Sequence, residues 1–126
     1  MNKWLKRIGI VIGSLLLLGP LFIGYFVFRV TKGMPFFETE VPNIEFAEGK
    51  KSILLFSKAN GFVHGEAIDA GKRVFNQMAT ENDWFIYQTD EGGVFNKEQL
   101  AKFDAVIWNN VSGQVLTEEQ RADFSN

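Results

Sequence analysis

Hydrophobic side chains are spread very unevenly along the chain. From Ile8 to Phe28 no charge interrupts a run rich in Leu, Ile, Phe and Gly. About 20 apolar residues cross the hydrocarbon core of a bilayer, so the run predicts a transmembrane helix over about residues 8–28. Gly19-Pro20 falls inside it, which membrane helices tolerate better than soluble ones. No polar face interrupts the run, which argues against a buried soluble helix. A cleaved signal peptide is the rival reading. The run is longer than a signal core of roughly 7–15 residues, and its exit, Tyr25-Phe-Val-Phe-Arg-Val, offers no small-residue cleavage site. Residues 1–30 are therefore read as a membrane anchor.

Residues 31–51 read as a linker. Pro35 and Pro42 prevent a continuous helix, and Glu38, Glu40, Glu45 and Glu48 keep it hydrated. Phe36, Phe37, Ile44 and Phe46 are too apolar for a free tether, so part of it is expected to pack on the domain or the membrane surface.

From Ser52 the pattern alternates between strand and helix. Ser52–Ser57 is an apolar strand that enters a polar bend, Ser57–Gly65. A helix follows from about Glu66 to Thr80, with Ala67, Ala70, Gly71, Val74, Phe75 and Met78 on one stripe. Gly71 within that stripe suggests close approach to the sheet. Trp84–Thr89 is the second strand, and Asp90-Glu91-Gly92-Gly93 a turn. Asn96 caps a short helix, with Gln99 as capping-box partner. Ala105–Trp108 is a third strand, apolar throughout as a buried parallel strand would be. Thr117 and Gln120 repeat the capping box and open a third helix.

This alternation predicts an α/β fold with a parallel sheet and right-handed crossovers. Three strands make a thin sheet, and no Gly or Pro stop precedes Asn126. The expectation is the first half of a flavodoxin-like three-layer α/β/α domain over residues 52–126, truncated at its C-terminus. In the strand order 2-1-3 the exit loops of the first and third strands flank one crevice at the topological switch point.

Charge divides at the anchor. Of thirteen basic residues four lie in residues 1–30, which hold no acidic one; the remainder of the chain sets nine basic residues against fifteen acidic. Lys3, Lys6 and Arg7 precede the apolar run, while Arg29 and Lys32 are soon followed by Glu38 and Glu40. The bias favours a single-pass protein of the cytoplasmic membrane with its N-terminus inside and its α/β domain outside. An acidic domain argues against nucleic acid as partner. The absence of cysteine excludes a lipid anchor on an N-terminal cysteine and fits an oxidising compartment without requiring one. Oligomeric state has no sequence signal.

The crevice collects Lys58, Asn60, His64, Asn109, Asn110 and Ser112. Neutral hydrogen-bonding groups with one cation and one imidazole suit a sugar or polyol better than a polyphosphate. His64, the chain's single histidine, fits a general acid/base, a metal ligand or a donor to a sugar hydroxyl. It equally fits a structural tie between loop and sheet. His64-Gly65-Glu66 offers two metal-ligand types, but zinc needs three or four, and no other histidine or cysteine exists. No cofactor is therefore expected from these residues, and a metal would need ligands supplied from elsewhere. Gly61 and Gly65 suit either close backbone approach to a ligand or simple turn geometry. No Gly-x-Gly-x-x-Gly or Walker-type loop is present. Asn109, Asn110 and Ser112 fit hydroxyl binding or the capping of strand exits. Trp84 and Trp108 lie in apolar strand runs and are read as core. Asp90-Glu91 reads as a solvated turn, so a two-carboxylate glycosidase mechanism is set aside.

Phe56-Ser-Lys-Ala-Asn-Gly-Phe-Val-His-Gly-Glu-Ala-Ile resembles the opening of the ThuA-like (trehalose utilisation) domain, where a strand ends in a Lys/Thr-x-x-Gly-Phe-x-His signature before a helix. Lys102-Phe-Asp-Ala-Val-Ile-Trp-Asn-Asn-Val-Ser-Gly-Gln-Val-Leu-Thr-Glu-Glu-Gln is similar to the family's second signature, in which a buried strand ends in Asn-x-x-Gly before Leu-Thr-x-x-Gln opens a helix. The resemblance implies a class I glutamine-amidotransferase-like fold and a role in the metabolism of trehalose and related or keto-sugar derivatives. The family continues into a glycine-rich segment with a further histidine, which residues 1–126 do not contain. Two functions follow as expectations. One is a carbohydrate-active enzyme with His64 as catalytic proton-transfer residue and Lys58, Asn60, Asn109 and Ser112 orienting substrate hydroxyls. The other is a non-catalytic module that binds carbohydrate or docks a partner.

Overall fold

The computed structural model describes residues 2–32 and 35–126. Helix α1 spans Lys3–Lys32. At 1.5 Å per residue it is about 45 Å long, more than the roughly 30 Å of a hydrocarbon core. It is long and apolar enough to cross a membrane, and none of its apolar window is buried against the rest of the chain. Ser14 returns its hydroxyl to the Ile10 carbonyl at 2.8 Å, so it offers the surroundings no free donor.

The remaining elements are β1 (Ser52–Phe56), α2 (Gly65–Asn82), β2 (Phe85–Thr89), a 3₁₀ turn (Gly92–Val94), α3 (Lys97–Leu100), β3 (Ala105–Trp108) and α4 (Glu118–Ser125). The three strands form a parallel sheet in the order β2-β1-β3. Strand β1 is central and buried along its whole length. Its Leu54 and Phe56 meet Val94, Phe95, Val115 and Leu116 in the main core. By strand alternation Ile53 and Leu55 face the other way. The chain leaves β1 towards one edge and returns to the other, so right-handed crossovers put α2 on the face opposite α3.

The stripe expected on α2 is only partly covered. Ile68 and Ala79 are the residues α2 buries, while Val74 and Met78 remain 55% and 37% exposed. Among the described residues α2 is the one helix on its face of the sheet, so its flank has nothing to pack against. Gly71 does mark a close approach, but to a side chain: a Cβ there would overlap the Asn109 amide.

Strand β3 also departs from expectation. Ala105 and Trp108 are exposed and Val106 and Ile107 half-buried, because β3 is an edge strand among the described residues. Trp108 is a half-covered plate rather than a core residue. It meets Phe56 edge-on at 5.5 Å between centroids, and Phe124 at 5.4 Å.

The Thr117–Gln120 capping box forms in full. The one expected at Asn96 forms by half. The Asn96 side chain accepts the Gln99 N–H at 3.0 Å. Its own N–H is taken by the Val94 carbonyl, and the Gln99 amide donates to the carbonyl of Pro42.

Pro42 belongs to a stretch, residues 35–46, that lies along the domain without helix or strand. Carbonyls of Phe36, Glu38 and Pro42 accept hydrogen bonds from the side chains of Asn60, Gln120 and Gln99. Ile44 packs on the main core, and Phe46 lies 5.1 Å from Phe103 and 5.6 Å from Phe85. Gly93 is required by this strap: a Cβ would fall on the Glu40 carbonyl.

Candidate functional site

The β1–β3 pairing continues past the strand ends. Ala59 and Ser112 form a parallel bridge, and the N–H groups of Asn60 and Gly61 both donate to the Ser112 carbonyl, at 2.9 and 3.2 Å. The two exit loops are thus stitched together at the carboxyl end of the sheet. This brings Lys58, Asn60, Asn109, Asn110 and Ser112 into one neighbourhood, with His64 beyond them at the start of α2.

Lys58, Asn60, Asn109, Asn110 and Ser112 each already have internal partners. Lys58 is 6% exposed, and its ammonium is paired with the Glu38 carboxylate and lies 5.4 Å from the Phe36 ring centre. Burial opposes ionisation of Glu38. Hydrogen bonds from Lys58 and from the Gly92 N–H outweigh it and hold the carboxyl below its ordinary range. The Asn60 amide donates to the Gln114 carbonyl at 2.6 Å and to the Phe36 carbonyl at 3.0 Å. Asn109 is buried; its amide donates to the Ile68 carbonyl and to Ser57 Oγ, and its oxygen accepts from Asn110. Asn110 holds a left-handed backbone, φ 54°, which asparagine tolerates better than most residues. The Ser112 hydroxyl donates to the Phe62 carbonyl at 2.7 Å.

His64 differs from these residues. It occupies the N-cap of α2 at φ −93° and ψ 70°, and its side chain makes no capping hydrogen bond. The backbone carbonyl starts the helix by accepting from Ile68. The ring is exposed and stands edge-to-face on Phe62, 4.7 Å between centroids. Among the described residues no side chain orients it. Its ring nitrogens make no hydrogen bond among the described residues, and the exposed Phe62 ring lies beside it. No three His, Cys, Asp or Glu side chains converge as a metal site among the described residues.

Glu38 and Phe62 matter here and were not singled out by sequence reasoning. A lysine directly after a buried strand demands a counter-charge. Glu38, Glu40, Glu45 and Glu48 are equivalent candidates on paper, and the pairing is settled only by how the strap lies. Phe62 carried a signal in its place within the bend, two residues from the histidine.

The family model for ThuA, described as trehalose utilisation, matches residues 52–126, which include both exit loops and His64. No curated protein and no solved structure gives a match. The matched span takes in more than half of the chain, with β1, the stitched loops and the capping box of α4 in order, and the chain belongs to the ThuA (trehalose utilisation) family.

Proposed function

We propose that the chain is a membrane-anchored ThuA domain whose crevice takes a sugar or sugar derivative of the trehalose or keto-sugar type. The observation that carries this reading is the state of His64. It is an exposed imidazole without an internal partner, at the carboxyl end of a parallel sheet, beside the exposed ring of Phe62. In this reading His64 moves a proton to or from a sugar hydroxyl, and Phe62 offers an apolar platform. Asn60 and Ser112 keep oxygen lone pairs with which to accept from hydroxyls. Lys58 and Asn109, buried and internally bonded, hold the loops in place from beneath.

The test is calorimetric titration of the full chain with trehalose, related disaccharides and keto-sugars, with mass spectrometry of the products. Saturable binding with turnover is expected, and His64→Ala should lower turnover by about 100-fold or more, the usual share of a general acid/base. Unchanged turnover in that variant would remove His64 from the mechanism.

A binding-only module is the second reading. It is favoured by the lack of any group that orients the His64 ring, since an efficient base is normally held by a partner. Saturable binding with no product in any mixture would select it.

The anchor is α1, with the N-terminus in the cytoplasm and the domain outside. Lys3, Lys6 and Arg7 before the apolar run support this orientation. Protease protection in sealed spheroplasts tests it: digestion of the domain from outside is expected, and full protection would reverse the topology.

A further inference from the structure

Three apolar side chains stand exposed at the end of the domain nearest to α1. Phe36 is 67%, Phe62 55% and Val63 58% exposed. They are not scattered along the surface. The Phe36 carbonyl is held by the Asn60 amide, and the Phe62 carbonyl by the Ser112 hydroxyl, so strap and bend are fixed to one loop pair. Pro35, Phe36, Ala59, Asn60, Gly61 and Val63, together with Arg29 of α1, line a single shallow concavity of about 510 Å³.

The length of the chain sets where this cluster can be. Phe28 is the last residue of the uncharged run, and four helical residues carry the backbone only about 6 Å further, to Lys32. Lys32 and Phe36 are four residues apart, at most about 14 Å of extended chain. The headgroup layer itself accounts for roughly 5–8 Å on each side of the hydrocarbon. Phe36 is therefore held within about 20 Å of the hydrocarbon edge, and the concavity it shares with Arg29 of α1 draws it closer to the surface that α1 leaves.

From this geometry we infer that Phe36 and Val63, which share the concavity with Arg29 where Phe62 and His64 do not, form an interfacial contact with the lipid surface. The inference rests on the reading of α1 as an uncleaved anchor and is independent of the sugar. Aromatic and aliphatic side chains beside a basic residue suit the boundary between headgroups and acyl chains. Arg29 is the one charged side chain that lines the concavity, and Glu66 and Asp69, exposed on α2, follow the bend in sequence. The contact is therefore apolar rather than electrostatic, and anionic lipid is not needed.

The chain has no cysteine, so single probes can be placed at will. Val63→Cys, Glu81→Cys and Leu16→Cys, each in the full chain, would carry an environment-sensitive fluorophore in phosphatidylcholine vesicles. Some of the lipid would bear a nitroxide just below the headgroup. Glu81 lies at the far end of α2, sixteen residues from Gly65 or about 24 Å along the helix. The expected result is quenching several-fold stronger at residue 63 than at residue 81, unchanged by molar salt. Water-like fluorescence at 63 with a lipid-buried probe at 16 would overturn the contact while leaving the anchor intact. Water-like fluorescence at both 63 and 16 would overturn the anchor and the contact together. Quenching at 63 that salt abolishes would replace the apolar contact with electrostatic adsorption.

Discussion

Lys58 leaves β1 with its ammonium buried, and the Glu38 carboxylate is what makes that tolerable. Removing one member of such a pair strands the other charge, at about 3–5 kcal/mol when both are buried. Glu38 retains some contact with solvent, so Glu38→Gln is expected to cost about 2–3 kcal/mol in urea denaturation of the detergent-solubilised chain. Adding Lys58→Met should recover most of that loss, and a double-mutant cycle measures the coupling. The same pair gives a pH signature. The folded-state carboxyl of Glu38 sits below its ordinary value of 4.5, so its contribution is complete above that value and is lost as pH falls through the lower folded-state value. Wild type should therefore lose more stability than Glu38→Gln on acidification below about pH 4.5. Little of this was legible beforehand. The sequence placed Lys58, Asn60, Asn109 and Ser112 side by side, because strand order alone decides that. Which of them turn inward depends on carbonyls of the strap and of neighbouring turns, and backbone carbonyls leave no trace in residue type. His64 was legible because its place at the start of a helix after a bend follows from local pattern.

At the level of elements the reading is close. Strands were found to within a residue because β1, β2 and β3 are short apolar runs bounded by turns. The α4 cap was found because Thr117 and Gln120 make a reciprocal pair that needs nothing from outside. The half-formed cap at Asn96 was not foreseeable, since Pro42, far away in sequence, accepts from Gln99. Exposure of β3 and of the α2 flank was misread for a related reason: hydrophobicity records what a surface can bury, and coverage depends on neighbours. Gly93→Ala probes the strap directly. The added methyl collides with the Glu40 backbone rather than with a movable side chain, so the strap must shift. A loss of about 1–3 kcal/mol is expected, as for overpacking generally. Limited proteolysis should show new cutting within residues 35–46, and an unchanged digest would mean that the strap is not seated as described.

At the scale of the whole molecule two parts with different surfaces share one chain. Helix α1 presents apolar side chains on every side; its apolar window is left uncovered, and Arg29 reaches the domain at the Asn60 carbonyl. The α/β part keeps its main core on the Leu54 and Phe56 face of β1, with Ile53 and Leu55 buried on the other. Leu16→Arg should separate the two parts experimentally. A central arginine costs about 2.5–3.5 kcal/mol on insertion, so a clear shift of the chain from the membrane pellet to the soluble fraction is expected, with the domain's circular dichroism unchanged. Retention in the pellet after carbonate washing would argue against α1 as the attachment. The apolar helix itself was legible at once, since an uncharged run of that length stands out in the sequence.

The strap also moves the edge of the folding unit. Family membership is carried by residues 52–126, yet Lys58 finds its counter-charge at residue 38, and Phe46 covers Phe85 and Phe103 from outside that span. A protein cut out at Ser52 for expression would carry every family signature and still lack the pieces that neutralise and seal it. One begun at Pro35 would keep them all. What evolution transmits as a module and what physics requires as a stable body differ here by the stretch of chain that joins α1 to β1.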